Sequence, residues 1–534
     1  MISVRDFFVP VSMQRFQAFK ANRQVQTQDR QNGRRRVKQV ETDKMEIFPA
    51  KEMIDSLIEG GQYNIIPLWT EIYADAATPI EVLRRLKKVS SHVFLLESAE
   101  DNRHFGRYTF LGFDPKLEIT CRDGKVQITK KGEKRILYDN PAKCVRELIQ
   151  TYKSPYIEGL PAFSGGLVGY FSYDFIKYSE PALDLDAKDS EQFADINLML
   201  FDKLICFDNY RQKILLIQNV DAAQAQTDYD KVKNDLAELK KLVLFGVKKE
   251  EEGFALTSPF NPLFTEEEYC SMVEKAKHYI KEGDIFQVVL SNRLEAEMEG
   301  SLLDVYRVLR TQNPSPYMFY FSGADGEIAG ASPETLVKLE GEKLYTFPLA
   351  GTRRRGKDRE EDEQLEAELL QDEKELAEHN MLVDLGRNDL GKISEIGTVQ
   401  VEKYMGIHRF SHVMHIGSTV SGKIRKDKDG LDAVEAVLPA GTLSGAPKIR
   451  ACEIINELED NKRGIYGGAI GYLSFTGGMD TCIAIRLAFS KNGKVYVRAG
   501  AGIVADSVPE KEYRECIQKA AAVVGAAETA KGGI

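Results

Sequence analysis

The segment LEITCRDGKVQITKKGEKRILY, residues 117–138, carries two hairpin turns in close succession, Asp123-Gly124 and Lys131-Gly132, each a short connection that joins antiparallel neighbours. Similar signals recur outward from it. Val93-Phe94-Leu95-Leu96 is strand-like, Lys203 to Val220 reads as two more paired strands, Lys338 to Phe347 turns at Gly341, and Asn492-Gly493 closes another hairpin. Strands are also expected at Ile285 to Leu290 and Tyr317 to Phe321. Helical patterns stand apart from these runs, at Asp228 to Leu242, in one charged helix from about Arg359 to Asp384, and from about Glu510 onward. One helix is marked at both ends. Thr265 and Glu268 form a T-x-x-E capping box, Tyr269, Met272, Val273, Ala276 and Ile280 keep the apolar stripe, and Gly283 ends it. Consecutive hairpins with segregated helices predict an α+β fold rather than a Rossmann-type parallel sheet.

The 534 residues are 43% hydrophobic and 29% charged, the apolar content of a folded protein. Length alone suggests several domains, a soft expectation because large mixed sheets run on as one unit. The net charge of −10 argues against a nucleic-acid or anionic-membrane partner. Residues 1–44 differ: ten Lys or Arg against four Asp or Glu predict a basic, disordered extension and leave −16 for 45–534. A non-functional extension preceding a start at Met45, a transit peptide and an RNA-contacting arm are all compatible with it. The charged run Lys248 to Gly253, followed by Pro259 and Pro262, is the best linker candidate. Seven scattered cysteines, never in a CxxC arrangement, predict reduced thiols. No apolar run of membrane length and no signal-like N-terminus are present, so a soluble cytoplasmic protein is expected.

Glu375 and Glu378, and again Glu512 and Glu515, stand at i, i+3, so each pair shares one helix face. The bland reading is a solvated acidic face; the sharper one is a site for a divalent cation such as Mg²⁺. Arg486 sits in the apolar run Cys482 to Phe489, where an unpaired charge is costly, and needs either a structural carboxylate or a bound acid. His408, His412 and His415 crowd one segment and read as structural, catalytic or metal-binding side chains. Three glycine-containing loops allow close backbone approach: Ala350-Gly351-Thr352, Gly441 to Lys448, and Gly500-Ala501-Gly502. None is a Walker A loop, and no G-x-S-x-G or G-x-C-x-G elbow occurs.

Together with Gly165 to Tyr170, Gly283 to Val289, Ser332-Pro333-Glu334, Pro348 to Arg353, Asp384 to Leu390, Pro439 to Lys448 and Gly500 to Asp506, these segments resemble the chorismate-utilising enzymes. The similarity is greatest to the large component I chains of anthranilate synthase and covers nearly all of 45–530. It implies a large α/β/α sandwich of two packed, mainly antiparallel sheets with outer helices. It also implies a regulatory half at 45–250, a chorismate-binding catalytic half at 251–534, and a Mg²⁺-dependent conversion of chorismate to anthranilate and pyruvate.

By the same resemblance, Glu334 matches a general acid for the departing hydroxyl, and His415 a histidine of the pyruvate-releasing step. Thr352 lines their pocket. Gly351, Thr352, Tyr466, Arg486, Gly500, Gly502 and Lys519 match substrate-holding positions. Glu378 and Glu515 match direct metal ligands, with Glu375 and Glu512 beside them. Glu97, Ser98, Pro316, Tyr317 and Met318 match elements of a tryptophan feedback site. Aminodeoxychorismate synthases carry a Lys where this chain has Ala350, and isochorismate and salicylate synthases carry one where it has Gln287. With neither amine present, external ammonia is the expected nucleophile. With no glutaminase elbow, a separate glutamine amidotransferase subunit is the expected source and partner.

Overall fold

The computed structural model describes residues 45–99, 106–250, 253–409 and 413–530. The basic extension 1–44, residues 251–252 of the charged linker and His412 lie outside them. Strands form two large antiparallel sheets. The first runs, edge to edge, through Ile65–Tyr73, Lys213–Asp221, Lys203–Asp208, Tyr108–Phe113, Val93–Glu97, Tyr317–Gly323, Gly326–Ser332, Leu487–Lys491, Lys494–Ile503, Gln287–Glu299 and Ala255–Leu256. The second runs through Leu349–Arg354, Val413–Lys423, Lys343–Thr346, Thr335–Glu340, Met479–Ile483, Ala469–Ser474, Gly166–Phe171, Ile196–Phe201, Leu117–Arg122, Lys125–Lys130 and Glu133–Tyr138. The hairpins of the opening segment thus form the edge of the second sheet.

Each sheet draws strands from both sequence halves. They meet where Glu97 pairs with Met318 in one sheet and Gly169 with Gly471 in the other. Alternation of side chains across each strand separates three apolar layers. Between the sheets lies an aromatic layer in which Phe94 meets Phe201 edge-on, with ring centroids 4.7 Å apart, and Phe163 stacks on Tyr472 at 4.2 Å. Val93 and Leu95, flanking Phe94, point instead into the layer under the helices Pro79–Val89, Tyr229–Phe245, Glu266–Glu282, Leu302–Gln312, Lys448–Glu459 and Pro509–Ala530. The outer face of the second sheet is covered mainly by Pro141–Gln150, Glu373–Gly391 and Gly430–Val437. This is the α/β/α sandwich expected. No helix among the described residues is long and apolar enough to cross a membrane.

The capping box at Thr265 forms in full, and Gly283 takes the left-handed conformation that ends the helix. Two expectations need correction. The charged segment forms two helices rather than one, Arg359–Leu369 and Glu373–Gly391, because the Asp372 carboxylate accepts the backbone N–H groups of Lys374 and Glu375 and starts the second. The strand expected at Ile285 to Leu290 is Gln287–Glu299. Its polar Ser291 and Asn292 stay in the sheet because distant partners satisfy them: Glu459 takes the Ser291 hydroxyl, and Asn292 exchanges two hydrogen bonds with the backbone of Phe264.

Candidate active site

Twice the chain passes between the two sheets at neighbouring points. Ser332-Pro333-Glu334 carries it from Gly326–Ser332 to Thr335–Glu340, and Ala484-Ile485-Arg486 carries it back from Met479–Ile483 to Leu487–Lys491. The crossings are tied together. The Ile483 N–H donates to the Glu334 carbonyl at 3.0 Å, the Ser332 hydroxyl to the Ile483 carbonyl at 2.7 Å, and the Ala331 N–H to the Arg486 carbonyl at 3.0 Å. Arg486 adopts a left-handed φ of 54°, a bend that a regular strand could not make. Glu334 and Arg486 are thereby delivered to one end of the sandwich.

Their electrostatics are opposite to those of surface groups. Burial pushes the Glu334 carboxyl up to about 8, against smaller downward pulls from the Thr442 hydroxyl and Lys519, so it stays protonated at neutral pH. Burial lowers the Arg486 guanidinium, and Tyr466 opposes that. No carboxylate among the described residues pairs with Arg486, so none of them is the structural partner its setting called for.

Across the site, a bulge in the pairing of Leu349–Arg354 with Val413–Lys423 sets Thr352 opposite His415. His415 Nδ1 lies 3.0 Å from the Gly351 carbonyl and 3.1 Å from Thr352 Oγ1. A carbonyl only accepts, so Nδ1 carries the proton and Nε2 is the basic nitrogen. Burial, with help from Arg486, lowers the imidazole and keeps it neutral. His408 lies opposite His415 in the adjoining pairing. Gly351 has φ 66°, and a Cβ there would come within 3.2 Å of the Glu375 carboxylate. On the far wall, Gly500 clears the Tyr466 hydroxyl, which would stand 3.1 Å from a Cβ, and Gly502 clears Gln287 Nε2 at 2.8 Å.

The four glutamates face one another from Glu373–Gly391 and Pro509–Ala530. Glu378 is raised by burial and by the charges of Glu375 and Glu515; Glu512 is raised by burial and by Glu515. Glu375 is paired with Arg353 at 3.2 Å and Glu515 with Lys519 at 2.7 Å, whereas Glu378 has no hydrogen bond or ion pair among the described residues. No three His, Cys, Asp or Glu side chains among those residues are gathered closely enough to hold a metal ion as they stand. Hard oxygen donors, mutual repulsion and a Glu378 that Lys519 and Lys374 offset only in part nevertheless suit a divalent cation, which would compete with Lys519 for Glu515.

The separate expectation of a regulatory site falls where the sequence halves join. Glu97 is opposite Met318, and the Ala99 N–H donates to the Ser315 carbonyl at 3.1 Å, so Ser98 and Pro316 are neighbours. The Glu97 carboxylate accepts from Tyr306 and Arg310, and the Tyr317 hydroxyl from these strands reaches Thr335 and Asp480, both at 2.8 Å. Sequence reasoning missed Arg353, Thr442 and the buried Glu459–Arg463–Arg498 network behind the Gly441 loop. Only the loop's glycines hinted at the last two.

Residues 91–525 match the family described as chorismate binding enzymes. The chain is 46% identical over 483 residues to anthranilate synthase component 1 of Acetivibrio thermocellus, covering 88% of this chain and 96% of that one. It is 44% identical over 477 residues to the Aquifex aeolicus protein of the same name, with the same coverage. The crystal structure of anthranilate synthase component I from Streptococcus pneumoniae superimposes with a TM-score of 0.71 at 39% identity, covering 85% of this chain and 98% of that one. The menaquinone-specific isochorismate synthase of Escherichia coli shares the fold, with a TM-score of 0.65 at 20% identity over 89% of this chain and 99% of that one.

Proposed function

Because this chain belongs to the chorismate-binding enzymes, among the component I chains of anthranilate synthase, we propose that it is an aminase subunit that converts chorismate and ammonia to anthranilate, pyruvate and water. The observation that carries this reading is Glu334, a carboxyl kept protonated at neutral pH on the chain crossing tied to that of Arg486, which lacks a carboxylate partner among the described residues. A leaving hydroxyl needs a proton, and a dianionic substrate needs a cation. Arg486 takes one substrate carboxylate, with the Tyr466 hydroxyl and the open backbone at Gly500 and Gly502 shaping its seat.

Ammonia adds at C2 while the ring double bond shifts and the C4–O bond breaks; Glu334 gives its proton to that oxygen, which departs as water. The C2 proton is then lost, its electron pair completes the aromatic ring, and the C3–O bond breaks; the departing enolpyruvate takes a proton at its methylene carbon to become pyruvate, and the proton shed by the new ammonium nitrogen restores Glu334. Neutral His415, whose Nδ1 contacts to Gly351 and Thr352 leave Nε2 as its basic nitrogen, is the base for the C2 proton in this reading. Glu375, Glu378, Glu512 and Glu515 would hold Mg²⁺, which supplies positive charge against the substrate's second carboxylate when bound. Lys519, beside Glu515 and felt by Glu334, aids the same neutralisation.

Ala350 and Gln287 leave no resident amine or base where lysines stand in related enzymes, which favours ammonia over the aminodeoxychorismate and isochorismate reactions. Ammonia would come from a separate glutamine amidotransferase subunit. Purified protein given chorismate, Mg²⁺ and an ammonium salt at mildly alkaline pH, where free ammonia rises before Glu334 is fully ionised, is expected to form fluorescent anthranilate, to stop when a chelator removes the metal, and to use glutamine only with the second subunit. No anthranilate under these conditions overturns the reading.

The pairing of Glu97-Ser98 with Pro316-Tyr317-Met318 supports feedback inhibition by tryptophan at the junction of the halves, through preferential binding to a less active arrangement. Ser98→Phe is expected to lose most of the inhibition, read as the ratio of rates with and without tryptophan. An unchanged ratio would remove Ser98 from that site.

A further inference from the structure

Thr442 lies in the turn Gly441–Leu443, remote in sequence from Glu334, yet its hydroxyl donates to Glu334 Oε1 at 3.2 Å. This is the one hydrogen bond to that carboxyl from any described residue, and Thr442 Oγ1 has no other partner among them. A threonine hydroxyl has a single proton, and among the described residues Oε1 is the acceptor it meets.

The turn that presents it is clamped on both sides. The Leu443 carbonyl accepts from Arg463 Nη1 at 2.6 Å, and Arg463 Nη2 also donates to the Val289 carbonyl at 2.7 Å. Arg463 is fully buried and ion-paired with Glu459, which Arg498 and Ser291 hold in turn. The Ser444 hydroxyl donates to the Ala440 carbonyl at 2.8 Å, and the Val289 N–H to the Ser444 carbonyl at 2.8 Å. Gly441 packs so tightly on Leu385 that a Cβ would lie 1.9 Å from Leu385 Cδ2.

We propose that Thr442 is the positioning residue of the acid: by occupying Oε1 it holds the transferable proton of Glu334 on Oε2, and Arg463 fixes Thr442 through Leu443. The inference rests on the reading of Glu334 as the acid of the first step. When the proton leaves, the new carboxylate keeps the Thr442 hydrogen bond and feels Lys519 from the terminal helix, the charged group that acts on it among the described residues. Thr442 therefore serves both the orientation of the acid and the stability of its conjugate base.

The test measures anthranilate formation by wild type, Thr442→Val and Thr442→Ser as a function of pH, at fixed free ammonia and saturating Mg²⁺, with thermal unfolding recorded for each. Valine preserves shape and removes the donor, so the carboxyl holds its proton to higher pH. The alkaline limb is expected to move up by about one pH unit, kcat to fall roughly tenfold, and KM for chorismate to stay put. Serine restores both limb and rate. A Thr442→Val profile with an unmoved limb, or a serine variant as impaired as the valine one, overturns the inference even where anthranilate synthesis by the wild type stands. A wild type that makes no anthranilate overturns the reading beneath it as well.

Discussion

Glu334→Gln is expected to bind chorismate normally and to form anthranilate roughly 10²–10⁴-fold more slowly, the usual contribution of a placed general acid. Glutamine keeps the shape and can still accept the Thr442 hydrogen bond, but has no proton to give to the C4 oxygen. The wild-type rate should decline as pH rises through about 8, where the carboxyl ionises, and the variant's residual rate should lack that limb. Stability must respond with a matching sign. The Glu334 carboxyl is raised in the folded chain from the ordinary 4.5 to about 8, so its contribution is fully present below 4.5 and is lost progressively as pH rises towards 8. Glutamine abolishes that loss, so the variant should melt higher than the wild type at alkaline pH and alike in acid. A variant that keeps more than about a tenth of the rate excludes Glu334 as the acid.

Why Glu334 is protonated was not legible in its neighbourhood. Turn and cap chemistry act within a few residues, so the hairpins at Asp123-Gly124, Gly341 and Asn492-Gly493 and the helix from Thr265 to Gly283 could be read directly. The passage of Ser332-Pro333-Glu334 from one sheet to the other leaves no mark on local periodicity, because both sides continue as strand. Its companion crossing at Arg486 is equally silent. Asp372 reads as one more charge in an acidic helix until its carboxylate is seen capping the next one. Ser291 and Asn292 interrupt an apolar run and suggest its end, while partners far along the chain keep them in the sheet.

The site divides the same way. The i, i+3 spacing brought each glutamate pair to one helix face, but that charges on the two helices act on one another is a property of the sandwich, and the roles proposed for the residues came from family resemblance rather than spacing. The composition that argued against a nucleic-acid partner said nothing of chorismate. The glycines around Thr442 marked its loop but not its role, which rests on a hydrogen bond to a residue 108 positions away.

Arg486 supplies the second large effect. Its guanidinium is buried enough to be lowered, has no carboxylate partner among the described residues, and sits on a backbone bend that holds it in place. A cation so arranged costs stability in the empty protein and recovers it only when an anion arrives. Arg486→Gln should therefore raise KM for chorismate by roughly 100-fold, in keeping with about 3 kcal/mol for a charge-assisted hydrogen-bonded pair. It should change kcat much less, because the carboxylate is held in ground and transition states alike. The ligand-free variant should melt no lower than the wild type, while the upward shift in melting produced by chorismate should largely disappear. Arg486→Lys keeps the charge but not the planar fork and should fall between the two. The combination separates substrate binding from architecture: a structural arginine would lower the melting temperature of the empty protein on removal, whereas one that waits for a carboxylate weakens only the complex. A KM within about twofold of wild type would assign the substrate carboxylate to another group.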